Sequence, residues 1–270
     1  MTSPVASSVT APSISAAELS DLLDRGQVSF YDVRRRTRFE ESGETIPGVP
    51  WRDPEQVEVW ARHLAPGRAV VVACVHGHEV SQGAAAALGR LGLAASYLEG
   101  GLEGWRKAGN SLARQAPPAK GATWITRARP KIDRIACPWL VLRFYDKTAR
   151  FAYVPPERVL PEAETSGAIP YDVPGVEFSH DGELCSFDVM VRRLGLKEPA
   201  LKDLGTIVRG ADTGRPELSP EAPGLLAVSL GLSAMYADDQ EMLGHGLLVY
   251  DAFYAWLLRA RGETHGWPPK

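Results

Sequence analysis

The chain has little cysteine: of its 270 residues only Cys74, Cys137 and Cys185, an odd number set far apart. That pattern excludes a disulfide framework and makes reduced thiols in a cytoplasmic setting the expectation. Long apolar runs are also missing. No stretch approaches the roughly 20 apolar residues that cross a bilayer, so no membrane partner is expected. Charge of one sign is scarce: a net charge of −3 leaves no electrostatic footprint for nucleic acid, and no nucleic-acid partner is expected. Met1 to Ser15, rich in Ser, Ala, Pro and Thr, has neither a basic n-region nor an apolar h-region. It reads as a flexible tail rather than a signal peptide. What is present is an ordinary globular composition, 44% hydrophobic and 23% charged, with length for two modest domains.

In the first half, strands and helices alternate. Ser15, with Glu18 three residues on and Leu19, Leu22 and Leu23 as an apolar stripe, opens a helix that Gly26 ends. Val28–Val33 reads as a strand, and Arg34-Arg35-Arg36 as a solvated face offset by Glu40, Glu41 and Glu44. Glu55–Leu64 reads as a helix, Pro66-Gly67 as a turn, and the β-branched run Ala69–Ala73 as a fully buried strand. A small-residue helix follows over Gln82–Leu91, then a strand at Ala95–Leu98, Gly100-Gly101 and a helix through Trp105. Alternation of this kind predicts a mostly parallel α/β sheet, whose active loops lie at the carboxyl ends of the strands. Cys74-Val75-His76-Gly77-His78-Glu79-Val80-Ser81 falls at such an end. Loop amides and a helix N-terminus converging there favour a nucleophilic thiolate. The competing reading is a buried packing cysteine.

These pieces resemble a rhodanese domain, the sulfurtransferase fold whose active cysteine carries a persulfide. The resemblance covers Val28 to Leu112 and rests on Asp32-Val33-Arg34, Ile46-Pro47-Gly48-Val49, Cys74-x-x-Gly77, the alanine-rich helix and Leu98-Glu99-Gly100-Gly101-Leu102-Glu103-Gly104-Trp105 with Gly109. It implies that Cys74 is catalytic and attacks a small sulfane sulfur donor. Residues Val75 to Ser81 would form the active-site loop, Asp32 and Arg34 would support it, and a thiol acceptor would take the sulfur without any cofactor. Glu79 stands where the family usually carries an arginine, which disfavours thiosulfate as the donor by like-charge repulsion.

Arg114 to Gly121 has linker composition, and the pattern then changes. Trp124–Thr126 and Arg150–Val154 read as strands, and Pro170–His180 as extended. Asp133 is a plausible cap for a helix over 133–144, in which Pro138 suits the first turn and not the middle. Helices follow over Leu184–Leu194, Ala200–Arg209, Pro223–Leu232 and Ala237–Arg261, the last as one helix or two. Asp133, Arg134, His180, Glu183, Cys185, Asp212 and Asp251 supply carboxylate, guanidinium, imidazole and thiol. Such a mixture suits a divalent transition metal, centred on His180 and Asp212, or proton transfer. Asp212 reads equally as a turn residue, Asp238 as a helix cap, and Cys137 and Cys185 as packing thiols.

This half resembles the C-terminal domain of chromate-resistance regulator proteins, from Trp124 to about Leu257. The matching stretches are Asp133–Leu140 with Arg143-Phe144, Phe178–Phe187, Ile207–Asp212 and Tyr250–Trp256. The whole is then expected to be α/β: a rhodanese-like parallel sheet flanked by helices, plus a mainly helical α+β C-terminal domain. The expected boundaries are a tail at 1–13, a domain at 14–113, a linker at 114–122, a second domain at 123–262 and a tail at 263–270. The resulting expectation is a sulfurtransferase with a persulfide on Cys74, linked to chromate or oxidative stress and compatible with a homodimer. The alternatives are a non-catalytic oxyanion or redox sensor and a metalloenzyme centred on the second domain.

Overall fold

The computed structural model describes residues 11–64 and 67–263. Residues 1–10 of the tail expected at 1–13, residues 264–270 of the tail expected at 263–270, and Pro66 of the expected turn lie outside the described residues. The chain divides into two compact units. One runs to Ala116 and includes Pro174–Glu177; the other holds Pro117–Val173 and continues from Phe178.

In the first unit the elements are β1 (Ser13–Ile14), α1 (Ala16–Asp24), β2 (Val28–Asp32), α2 (Arg36–Ser42), β3 (Glu44–Thr45), α3 (Val57–Trp60), β4 (Ala69–Ala73), α4 (Glu79–Arg90), β5 (Ala95–Leu98), α5 (Gly101–Lys107) and β6 (Ala113–Arg114). Ser15 and Glu18 make the expected reciprocal cap of α1. Four strands form a parallel sheet in the order β1-β5-β4-β2, and β3 pairs antiparallel with β6. As an inner strand, β4 buries Val70, Val71 and Val72 to 2% exposure or less. Each is worth roughly 1.5–3 kcal/mol of burial. The expected α/β class is borne out.

Four local expectations fail here. The helix expected over 55–64 is broken into a 3-10 turn at Pro54–Gln56, the single α-turn of α3, and a second 3-10 turn at Ala61–His63. Val57 and Val59 are weak helix formers, and burial of Val57, Trp60 and Ala61 sets the path instead. Helix α4 begins at Glu79, three residues before Gln82, so Glu79, Val80 and Ser81 belong to its first turn and not to the loop. Arg34 is not on a solvated face: it is 2% exposed and paired with Asp32. Arg114, at the start of the expected linker, lies in β6.

The second unit contains β7 (Thr123–Arg127), α6 (Asp133–Leu140), β8 (Arg150–Val154), α7 (Val159–Ser166), β9 (Ile169–Pro170), α8 (Ser186–Arg193), α9 (Pro199–Asp212), α10 (Ala222–Met235) and α11 (Asp239–Arg259). A small parallel sheet, β8-β7-β9, packs with the helices around Trp124, Trp139, Phe187, Leu204 and Tyr250, all 1% exposed or less. The mainly helical α+β expectation is borne out. The C-terminal segment is one long helix, α11, with Asp238 as its expected cap.

Pro138 departs from expectation: it sits inside α6, which continues as a π-helical turn over Val141–Tyr145. A proline there has no N–H for the carbonyl four residues back, that of Arg134. That carbonyl is instead taken by two phenols, Tyr153 at 3.2 Å and Tyr171 at 3.3 Å. Both side chains come from the sheet side, so the proline is tolerated because tertiary structure supplies the missing donor. The stretch after Pro170 is also not simply extended, because Asp172 adopts φ 49°, a left-handed turn that aspartate tolerates better than most residues.

Two predictions follow from this packing. Replacing both phenols, Tyr153→Phe with Tyr171→Phe, strands a buried carbonyl and is expected to cost about 1–3 kcal/mol in urea denaturation, with each single change costing less. At Gly101 (φ +58°) a Cβ would stand 2.3 Å from the Cys74 carbonyl oxygen. Gly101→Ala is expected to destabilise the first unit by about 2–4 kcal/mol in the same assay.

Candidate active site and a second polar centre

Strand β4 ends at Ala73 and delivers Cys74 to the carboxyl edge of the parallel sheet. The thiol is 6% exposed, and its Sγ lies 3.1 Å from the Ser81 hydroxyl, which reaches the His78 carbonyl at 3.2 Å. The carbonyls of Cys74 and Val75 accept from the amides of Leu102 and Glu103 in α5, at 2.9 and 3.2 Å. Gln82 donates its side-chain amide to the Gly77 carbonyl. With the carbonyls drawn to one side, the N–H groups of Val75, His76, Gly77 and His78 have no acceptor among the described residues. Gly77, at φ +73°, makes this path accessible: a Cβ there would fall 2.6 Å from the Leu98 carbonyl oxygen.

A cavity of about 520 Å³ opens over the sulfur, lined by Arg35, Arg38, His76, His78 and Glu79 among others. His76 faces Glu103 at 3.4 Å. Glu79 occupies the first turn of α4, where the helix dipole favours a carboxylate. Asp32 and Arg34 form a buried pair, with Arg34 Nε at 2.9 Å and Nη2 at 2.5 Å from Asp32 Oδ2. Arg34 also donates to Ser42 and to the Glu44 carbonyl. Its guanidinium is committed to the fold, so the cations not held in that network are those of Arg35 and Arg38, the latter exposed and 3.6 Å from Glu41.

In the second unit, four of the polar residues converge. Asp133 opens α6 but does not cap it. Its carboxylate accepts from the amides of Ser186 (2.6 Å) and Phe187 (3.3 Å) at the start of α8. Ile132, at φ 39°, is turned so as to present Asp133, and is held by Ser229 on its N–H and Tyr250 on its carbonyl. His180 Nε2 lies 3.5 Å from Asp133 Oδ2, 3.5 Å from Asp172 Oδ1 and 3.2 Å from Asp212 Oδ2. Asp212 is the last residue of α9 and not part of a turn.

The electrostatics differ across the group. Burial, reinforced by Asp212 and Asp172, pushes Asp133 well above the usual carboxylate range. Burial pushes Asp172 up as well, but its contact with His180, the charges of Arg127 and Arg134, and Ser186 together bring it below that range. His180 is raised to about 10 by its contacts with Asp172 and Asp212. Burial also pushes the Cys137 and Cys185 thiols well up, which disfavours their thiolates.

The other candidates lie apart from this centre. Glu183 is exposed and pairs with Arg215, Cys185 lies 3.3 Å from Asp188, and Asp251 binds Trp139 and Arg143. Arg134 does join it, 3.4 Å from Asp172. Sequence reasoning missed Asp172 and Arg127, which pair at 2.9 Å. The available signal was a lone acid in the otherwise apolar and turn-forming run Ile169–Val176.

Comparisons with known proteins agree with this division. Residues 15–108 match the family model described as "Rhodanese-like domain", and residues 124–257 match "ChrB, C-terminal domain". Protein ChrB of Cupriavidus metallidurans is 33% identical over 148 residues, which cover 54% of this chain. The chain spans 44% of the length of that curated relative. Among solved structures, a rhodanese-related protein from Thermoplasma volcanium aligns with 38% of this chain and 97% of its own, at 24% identity and a TM-score of 0.32. A thiosulfate sulfurtransferase from Pseudomonas aeruginosa aligns with 42% of this chain and 21% of its own, at 21% identity and a TM-score of 0.34. Among the described residues, no helix is long and apolar enough to cross a membrane. The chain carries a rhodanese-like domain at residues 15–108 and a ChrB C-terminal domain at residues 124–257.

Proposed function

We propose that the first unit is a sulfurtransferase that carries its sulfur as a persulfide on Cys74. The observation that carries this reading is Cys74 in the wall of an arginine-lined cavity, on a loop four of whose N–H groups have no acceptor among the described residues. In the first step the Cys74 thiolate attacks the sulfane sulfur of a donor. A new S–S bond forms to Cys74, and the donor's own S–S bond breaks, its remainder leaving with the electron pair. In the second step an acceptor thiolate attacks the outer sulfur and departs as a persulfide, restoring the Cys74 thiolate. The loop amides stabilise negative charge on sulfur in both states, and Ser81 can donate to it.

Glu79 at the cavity wall opposes a doubly charged donor, while Arg35 and Arg38 favour an anionic one. A singly charged persulfide or polysulfide donor fits this balance better than thiosulfate. The likeness of the second half to chromate-resistance regulators supports a setting of chromate or oxidative stress for this activity.

Incubation with polysulfide is expected to add the mass of one sulfur atom to the Cys74 peptide, and a thiol is expected to discharge it. Cys74→Ser should abolish the adduct and lower turnover by at least about a hundredfold. Glu79→Arg should raise kcat/KM with thiosulfate by about tenfold. Full turnover by Cys74→Ser would overturn the reading. Oxyanion binding without any sulfur adduct would point to a sensor instead.

A further inference from the structure

The group around His180 is arranged unlike an ordinary ion-pair network. A protonated Nε2 carries one hydrogen and satisfies one acceptor. Here Nε2 faces carboxylate oxygens of three aspartates at 3.2, 3.5 and 3.5 Å, beyond the roughly 2.9 Å typical of an N–H···O bond. Adjacent ligands bound at about 2.1 Å to a common metal ion stand roughly 3.0–3.5 Å apart. The Nε2-to-oxygen spacings therefore match a ligand shell better than a set of hydrogen bonds. One ligand atom from each of Asp133, His180 and Asp212 lies within 4.8 Å of the others.

Charge points the same way. Asp172 is matched by Arg127 and Arg134 and accepts from Ser186, so it is already neutralised. Asp133 is 0% exposed, and among the described residues the His180 imidazole is the one basic group within ion-pair distance of it and of Asp212, a single site facing three carboxylates. Elsewhere in this unit Asp181, Asp188, Asp203 and Asp251 each have an arginine partner. A fully buried carboxylate is tolerated when it is paired with a cation or coordinates one. Asp212 also ends α9, where the helix carbonyls add negative potential.

The ligands are held from outside the group as well. Asp133 is fixed by two amides of α8, and Asp172, beside the group, is fixed by its arginines and Ser186. His180, 41% exposed, leaves an approach from solvent.

We propose that Asp133, His180 and Asp212 bind one divalent first-row metal ion. Two carboxylates and one imidazole form an oxygen-rich set suited to an ion such as Mn²⁺, with coordination positions left for water or an anionic ligand. The proposal is independent of the chemistry at Cys74.

The test is a titration of chelator-treated full-length protein with Mn²⁺, followed by loss of the free-ion EPR signal. Saturation at one Mn²⁺ per chain is expected. Asp212→Asn and His180→Gln should each weaken binding by at least about tenfold with unchanged far-UV circular dichroism, while Cys74→Ser binds like the parent protein. No saturable uptake, or uptake indifferent to both substitutions, would overturn the proposal.

Discussion

The constraint on which the shape of the Cys74 loop depends is the close approach of α5 to the chain after β4. Gly101 lets the start of α5 lie against the carbonyls of Cys74 and Val75, and the amides of Leu102 and Glu103 take them. A peptide plane whose carbonyl is held on one side must present its N–H on the other. The N–H groups of Val75 and His76, which share peptide planes with those two carbonyls, therefore face away from α5. The contacts that α5 makes with the Cys74 loop are main chain, and Glu79 stands outside them in the first turn of α4.

A different device organises the second unit. Asp133 places its carboxyl group at the N-terminus of another helix, and so joins α6 to α8 through a buried polar contact. The left-handed turns at Ile132 and Asp172 present that carboxylate and its neighbour to His180. Backbone conformations of this kind persist only where surrounding contacts over-determine them, and Ser229, Tyr250, Arg127 and Arg134 supply those contacts.

Most of the fold was legible. The buried run Ala69–Ala73, the Ser15–Glu18 cap and the alternation of strand and helix are local signals, and each reads through to the structure. The site of Cys74 was legible for the same reason: it sits at the end of a strand whose sequence announces itself. What escaped was non-local. Arg34 is buried because Ser42 and the Glu44 carbonyl, brought in by the path of the chain, take the guanidinium that Asp32 forks. Pro138 in mid-helix is tolerable only because two tyrosines arrive from elsewhere. Asp172 gave no periodic signal, and it joins His180 only through a left-handed turn. The separation of Glu183 and Asp251 from the polar centre likewise depends on which arginine each one meets.

The depth of Cys74 has one more consequence, for the size of what can react with it. Cys74, a residue only 6% exposed and with the Ser81 hydroxyl against its sulfur, is shielded from bulky electrophiles. A second sulfur bonded to it would stand about 2.05 Å further out, toward the cavity. On the persulfide reading proposed above, the bare thiol is recessed and the loaded form would protrude, so a wide molecular face could receive the sulfur yet never touch the resting cysteine. On that reading burial would act as a sieve that changes mesh with the state of the atom it guards.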